Sequence, residues 1–470
     1  MKKVALSVLA LACSLLPAHA QNPSPEEVQR QALRQRAVEA VIWGMSAVNY
    51  DLMLQEMLRK TDAKVNQFVY WGKPLDWHNQ SLTPNPDTLY FMAFFNTKDA
   101  GALVLEIPPA NGGSLNANIV TTWQMALGDG GLLGIDKGKG GKYLILPPGY
   151  ADPIPDGYIP LRSDTFGGYA LVRSNLQSHS DADVAQSVAY AKKVKLYPLS
   201  QAANAPETKF TDAKDVFFNS TIRYDASFFE NLNHVIQSEP WLDRDRVLID
   251  QLMALGIEKG KPFNPDARTK QLLDDAARQA HVWLEAKYNA GFPLFWERSR
   301  WTLPAPSELI KAQGNGFSDP NAYPVDARGV AYSYAYVGIK ILGAGQMYMI
   351  TIRDRDGDAF DGGKTYRLRV PPNAPVEQYW SATAYDRHTH TLIKDMPRAS
   401  RASNSSEVQK NADGSVDIYF GAKPPTGKES NWVPTKTGQA FEVMFRLYAP
   451  TKALFEKTWV LPDIEKFAAQ

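Results

Sequence analysis

The chain has 470 residues, 51 Lys+Arg against 50 Asp+Glu, and a single cysteine. At roughly 100–200 residues per domain, that length implies two or three lobes rather than one core. The even charge balance leaves no electrostatic footprint for nucleic acid, and one cysteine excludes a framework of intrachain disulfides.

The first twenty positions carry Lys2 and Lys3, an apolar run from Val4 to Leu16, and Ala18-His19-Ala20. This is the pattern of a secretory signal peptide, 1–20, and it predicts a periplasmic or secreted protein. A lipoprotein anchored at Cys13 is the alternative, but Ala10 stands three residues before it and the apolar run continues through Leu16. Cleavage after Ala20 removes Cys13, Lys2 and Lys3, which leaves 49 basic residues against 50 acidic ones, net −1. Beyond the leader no apolar stretch approaches the ~20 residues of a membrane span.

Residues 21–68 read as an N-terminal helical segment. Ser24 is placed as an N-cap, with Pro25 at the first helical position and Glu26 and Glu27 in the first turn. Ala37, Val41, Met45, Val48, Leu52 and Met53 then recur near helical spacing. Asn49, Tyr50 and Asp51 are consecutive and point in different directions, so at least one must hydrogen-bond inward.

Residues 69–180 read as an antiparallel β domain, short strands punctuated by glycine clusters such as Gly128-Asp129-Gly130-Gly131. Those glycines lack the Gly-Lys-Ser/Thr ending of a phosphate loop. Within this domain Pro84-Asn85-Pro86-Asp87-Thr88-Leu89-Tyr90 leads into the apolar run 89–95. Its prolines stiffen the approach and fix where Asp87 is delivered. Asp87, Thr88 and Tyr90 offer a base, a hydroxyl and a phenol, with Thr88 and Tyr90 on the strand face opposite Leu89. His78, just upstream, adds an imidazole, the side chain type whose unperturbed pKa lies near 6.5. The bland alternatives are a turn cap for Asp87 and a surface histidine for His78.

Residues 181–303 carry helical periodicity in 184–194, 227–236, 244–255 and 265–288, as expected of a helical layer tying two lobes together. A Pro- and Gly-rich linker, 304–328, follows. Residues 329–470 return to strands, over 331–341, 346–352, 366–370, 379–385, 416–420 and 441–447, with a hairpin turn at Asp413-Gly414. So many short strands with long excursions suggest a sandwich or jelly roll.

Several motifs in this last region, Tyr379-Trp380-Ser381, Tyr385-Asp386, Ile418-Tyr419-Phe420-Gly421, Asn431-Trp432 and Arg446-Leu447-Tyr448, resemble one half of a bacterial two-domain family of unknown function. In that family an N-terminal DUF1254 domain precedes a C-terminal DUF1214 domain. The segment Asn85 to Tyr90 is similar to the N-terminal partner's motif, so the likeness spans roughly 69–461. The resemblance implies an α+β, mainly β fold: two antiparallel β lobes, the second jelly-roll-like, joined by a helical segment, and often a homo-oligomer. It implies no reaction.

Arg446 stands on a strand between Phe445 and Leu447, which calls for a buried partner, Asp417 or Glu429, or for an anionic ligand. With Trp123, Tyr385 and Trp432 it forms the candidate substrate-binding set. Asp386, His388 and His390 at i, i+2 and i+4 would share one face of an extended strand and could hold zinc. The acidic run Asp354 to Asp358, with Asp361, could attract calcium, although it lacks EF-hand spacing. No Gly-x-Ser-x-Gly elbow occurs. The expected function is a secreted or periplasmic enzyme, a hydrolase of a small organic or anionic molecule bound between the lobes. The alternative is a non-enzymatic oligomeric binding or assembly protein.

Overall fold

The protein is described by a computed structural model over residues 23–132, 134–335, 338–340 and 345–468. The signal-peptide reading of 1–20, with Cys13, lies outside these residues. Among the described residues no helix is long and apolar enough to cross a membrane.

Helix α1, Pro25–Lys60, begins as its sequence dictates: Ser24 accepts from the Glu27 amide and the Glu27 carboxylate receives the Ser24 amide, a closed capping box. Twelve strands follow before the second half of the chain. Of these, β1 (Gln67–Tyr70), β2 (Asn79–Gln80), β3 (Thr88–Asn96), β4 (Leu103–Ile107), β5 (Leu115–Thr121), β6 (Ala126–Gly131), β7 (Gly141–Leu146), β8 (Tyr158–Arg162) and β9 (Gly167–Asn175) precede helix α2, Asp181–Ala191. Strands β10 (Lys195–Pro198), β11 (Phe210–Asp212) and β12 (Phe218–Asn219) come after it. They form a six-stranded sheet, β11-β1-β3-β9-β5-β6, a four-stranded sheet, β10-β4-β7-β8, and a β12-β2 pair. Most pairings are antiparallel, but β1–β11, β2–β12 and β7–β8 are parallel.

Alternation along β3 explains the layering. Leu89, Phe91, Ala93 and Phe95 enter the core between the two sheets, whereas Tyr90, Met92 and Phe94 enter a second core on the other face. Thr88 and Tyr90 therefore lie opposite Leu89, as the strand period requires. The second core is roofed by helices α3 (Ser227–Ser238), α4 (Arg246–Met253), α5 (Ala267–Ala290) and α7 (Val325–Tyr334) together with α1; α6, Ser307–Gly314, packs on α7. All three polar residues in the middle of α1 are buried. Asn49 donates to the carbonyls of Tyr332 and Ala335, and Asp51 accepts from Asn231 and Gln55.

The expected strand over 331–341 is corrected: Ala331 to Tyr334 closes α7, and only part of the remainder is described. Its apolar residues serve a helix buried from all sides, for which alternation is no guide. The stretch expected as a linker contains α6 and opens α7.

In the C-terminal lobe, β13 (Gln346–Thr351), β14 (Phe360–Asp361), β15 (Tyr366–Val370), β16 (Trp380–Asp386), β17 (Ser400–Ala402), β18 (Val416–Gly421), β19 (Trp432–Pro434), β20 (Ala440–Tyr448) and β21 (Glu465–Lys466) make two sheets. One runs β13-β20-β16-β17, with β14 also on β20; the other runs β19-β18-β15-β21. They face each other across a core of Leu368, Ile418, Phe420, Ala382, Val443 and Phe445. The fold is α+β and the lobe is a sandwich, with one parallel pair, β18–β19, where a jelly roll would be antiparallel throughout. The outer face of β16 and β20 joins the helix-roofed core through Tyr385 and Met444, so the two lobes share one apolar interior.

Helices α1 and α7 cross closely at Gly329, where an added Cβ would lie 2.7 Å from the Ile42 carbonyl oxygen. Gly329→Ala is expected to destabilise the protein by about 1–3 kcal/mol despite alanine's better helix propensity. Urea unfolding measures it, and a variant as stable as the parent would mean that the crossing tolerates a methyl group.

Candidate functional site

The stiff loop 83–87 lies at the junction of the lobes, and its groups are held from several directions. Thr83 has φ of 39°, an uncommon backbone for a β-branched residue. Its amide donates to the His390 carbonyl at 2.6 Å, its hydroxyl donates to the Tyr334 carbonyl, and its own carbonyl accepts from Arg446 at 2.9 Å. The Pro84 carbonyl accepts from the Tyr385 hydroxyl at 2.6 Å. Asn85, not Asp87, makes the Asx turn, by accepting the Asp87 amide, while its Nδ2 donates to the Tyr448 hydroxyl at 2.8 Å.

Arg446 is fully buried on β20. Its Nη1 donates to Thr383 Oγ1 at 3.0 Å and its Nη2 to the Tyr385 hydroxyl at 2.6 Å. The expected salt bridge to Asp417 or Glu429 is corrected: Arg446 makes no ion pair among the described residues, and its Nε has no hydrogen-bond partner. The reason is register. Arg446 alternates with Phe445 and Leu447 and so points out of the sandwich, towards the N-terminal lobe.

There it forms the inner wall of a cavity of about 220 Å³ between the lobes. Tyr90, Arg173, Gln346 and Tyr348 supply the rest of its polar lining, and Leu303, Pro304, Ile310 and Met347 supply apolar lining. Arg173, paired with Tyr90 in register across β3 and β9, donates to Asn118 and lies 5.6 Å from the centre of the Tyr90 ring. Burial holds the Tyr348 and Tyr385 hydroxyls well above the usual phenol range, so both stay neutral.

The other candidates disperse. Asp87 is buried outside the cavity wall, and Ser400 Oγ of the C-terminal lobe lies 2.6 Å from each of its carboxylate oxygens. Thr88 donates to the Ser174 carbonyl within its sheet. His78 is half-exposed, stacked on Trp77 and paired with Asp76. Trp123 packs on Trp43 in the core, and Trp432 donates to the Gly421 carbonyl. Of the named residues the cavity gathers Tyr90 and Arg446, with Tyr385 supporting the latter. Arg173, Gln346 and Tyr348 escaped the sequence reading. Arg173 carries the signal that exposed Arg446, a lone cation closing an apolar strand run, 169–172.

The zinc reading of Asp386, His388 and His390 is corrected. The strand ends at Asp386, which caps a turn by accepting the His388 and Thr389 amides, and His390 takes φ of 56°, so the three do not share a strand face. Among the described residues no group of three or more His, Cys, Asp or Glu side chains is arranged to hold a metal. The acidic loop at Asp354 is occupied by Lys466, whose ammonium reaches Asp354, Asp356 and Asp358.

His390 belongs instead to a buried charge network. Its Nδ1 lies 2.9 Å from Glu442 and its Nε2 3.5 Å from Glu285 on α5, while Tyr288 donates to Glu442 at 2.6 Å and Arg387 pairs with Glu285 at 2.9 Å. Burial alone would push the His390 pKa down, but Glu442 and Glu285 outweigh it and hold it at about 9. A larger cleft of about 700 Å³ adjoins this network, but Glu285 and Arg387 on its wall neutralise each other.

The chain matches two family models, each described as a protein of unknown function: DUF1254 over residues 65–198 and DUF1214 over 345–452. Among solved structures it is similar to the VPA0106 protein from Vibrio parahaemolyticus, with TM-score 0.58 and 18% identity over 93% of this chain and 100% of that one. An uncharacterised protein from Burkholderia cenocepacia aligns with TM-score 0.43 and 11% identity over 94% and 95%. No curated protein matches the chain. The Vibrio likeness concerns fold alone.

The network gives stability a pH dependence. The imidazole loses its proton near 6.5 in the unfolded chain and near 9 in the folded one, so protonation favours folding. The stabilisation is complete below about 6.5 and is lost as pH rises through about 9, by up to about 3 kcal/mol. Melting temperature should therefore fall between pH 7 and 9.5, and His390→Gln should flatten that fall. A parent profile that is level over this range would contradict the charged state of His390.

Proposed function

The chain belongs to the two-domain family in which DUF1254 precedes DUF1214, and from that premise we propose that it binds a small organic anion in the cavity between its lobes. The carrying observation is Arg446, a buried guanidinium with no carboxylate partner among the described residues and an unpartnered Nε. Its tyrosine neighbours, with ring centres 5.2 and 5.6 Å away, return about 2 kcal/mol each, and its three hydrogen bonds go to neutral oxygens, so no negative charge balances it. An unpaired buried charge costs several kcal/mol. The difference favours an anion, and arginine's planar fork suits a carboxylate. Leu303, Pro304, Ile310 and Met347 ask for an apolar body on the same molecule. At about 220 Å³ the cavity falls below the roughly 300–1,000 Å³ of most ligand pockets, which calls for a small ligand.

This is the binding-protein reading. The leader-like sequence of 1–20 supports a place outside the cytoplasm. A hydrolytic reading draws support from one contact, the Ser400 hydroxyl held by Asp87. Neither residue lines the inter-lobe cavity, so turnover of an ester bound there would have to be independent of Ser400, and Ser400→Ala should leave carboxylate binding intact. Absence of turnover by the parent protein across an ester panel would remove that reading.

Titration calorimetry against short branched and aromatic carboxylates tests the binding proposal. At least one acid should bind, and Arg446→Gln should weaken it by at least about thirtyfold. Ile310→Trp, which adds bulk to the cavity's apolar lining from α6 and leaves the arginine in place, should also abolish binding. No binding by the parent, or undiminished binding by both folded variants, would overturn the proposal.

A further inference from the structure

The polar lining of the inter-lobe cavity has an unequal hydrogen-bonding complement, which narrows the ligand beyond a small anion. Arg446 Nε–H is a donor without a partner. The Tyr90 hydroxyl accepts the Asn85 amide at 2.8 Å, and its own proton has no acceptor among the described residues. Beside these two donors stands an acceptor, Oε1 of Gln346, which is buried and has no partner among the described residues. On adjoining strands Gln346 pairs with Tyr448 and Tyr348 with Arg446, so Gln346 and Arg446 are diagonal neighbours on one sheet face, roughly 7–8 Å apart.

From this complement we infer that the ligand is an apolar hydroxy acid, with Arg446 and Tyr90 receiving its carboxylate and Gln346 accepting from its hydroxyl. The inference rests on the anion-binding reading and deepens it. A plain carboxylic acid leaves the Gln346 oxygen unpaired, which is costly for a buried acceptor. An amino acid would supply a donor, but its ammonium would share the cavity with the Arg446 guanidinium, which has no counter-charge among the described residues, and like charges repel. A hydroxyl supplies the donor without the charge. Gln346 is therefore the specificity-determining residue.

The test uses one carbon skeleton with different substituents: 4-methylpentanoate, its 2-hydroxy and 3-hydroxy derivatives, and leucine, titrated calorimetrically into the full-length protein. One hydroxy acid should bind about 3- to 10-fold tighter than the plain acid, and leucine weakest. Gln346→Leu should erase that preference while still binding the plain acid, with Gln346→Met as the second variant should the first fail to fold. Tyr90→Phe should weaken the plain and hydroxy acids alike and keep the preference. Equal affinities for plain and hydroxy acids overturn this inference and leave the anion site standing. So does a preference that survives both Gln346 substitutions. Failure of all four compounds to bind overturns the inference and counts against the anion site as well.

Discussion

One guanidinium reaches across the junction of the lobes, and the arrangement there depends on it. Arg446 leaves the C-terminal sandwich on a strand whose neighbours are core residues and takes hold of the Thr83 carbonyl, while Tyr385 beside it takes the Pro84 carbonyl. The loop it grips is short of freedom already, since Pro84 and Pro86 fix two φ angles before folding. Thr83 keeps its left-handed backbone because its amide, hydroxyl and carbonyl are bound to three different segments. Strain of that kind persists only where the surroundings over-determine it.

A charge in that position is a poor way to stabilise a junction. Well-packed apolar residues would serve as well or better, because desolvating a guanidinium costs more than hydrogen bonds to neutral oxygens return. The contrast within the same molecule is informative. A second buried cluster, at the joint between α5 and the sandwich, sets His390 and Arg387 against Glu285 and Glu442, so each charge there has a counter-charge. Arg446 has hydrogen bonds but no counter-charge among the described residues, and it lines the inter-lobe cavity. The His390 cluster, with its charges paired, has the character of a joint. The Arg446 junction has the character of a receptor.

Much of the secondary structure was legible because its signals are local. The Ser24 cap of α1, the start of α5 near 265, the Asp413-Gly414 turn and the alternation in β15, β16, β18 and β20 each depend on residues a few positions apart. The stretch 331–341 misled for a physical reason: a helix enclosed on all sides loses the amphipathic stripe by which helices are recognised. Two of the parallel pairings of the N-terminal lobe, β1–β11 and β2–β12, were equally out of reach, because they join segments with long intervening chain.

The sequence by itself determined that Arg446 and the loop around Asp87 are unusual, because a cation between core residues and a carboxylate behind two prolines are local facts. Only the tertiary structure decided what each is for. Register turned Arg446 away from the carboxylates of its own lobe and towards Tyr90 and Arg173 of the other, which lie more than 270 residues earlier in the chain. The same packing closed Asp87 against Ser400 and placed Gln346 diagonal to the arginine, and it drew His390 out of a supposed metal face into a pair of carboxylates. A cavity belongs to no segment; it is the space left where two sheets and a helical layer meet, and its chemistry is set by whichever side chains those elements turn towards it.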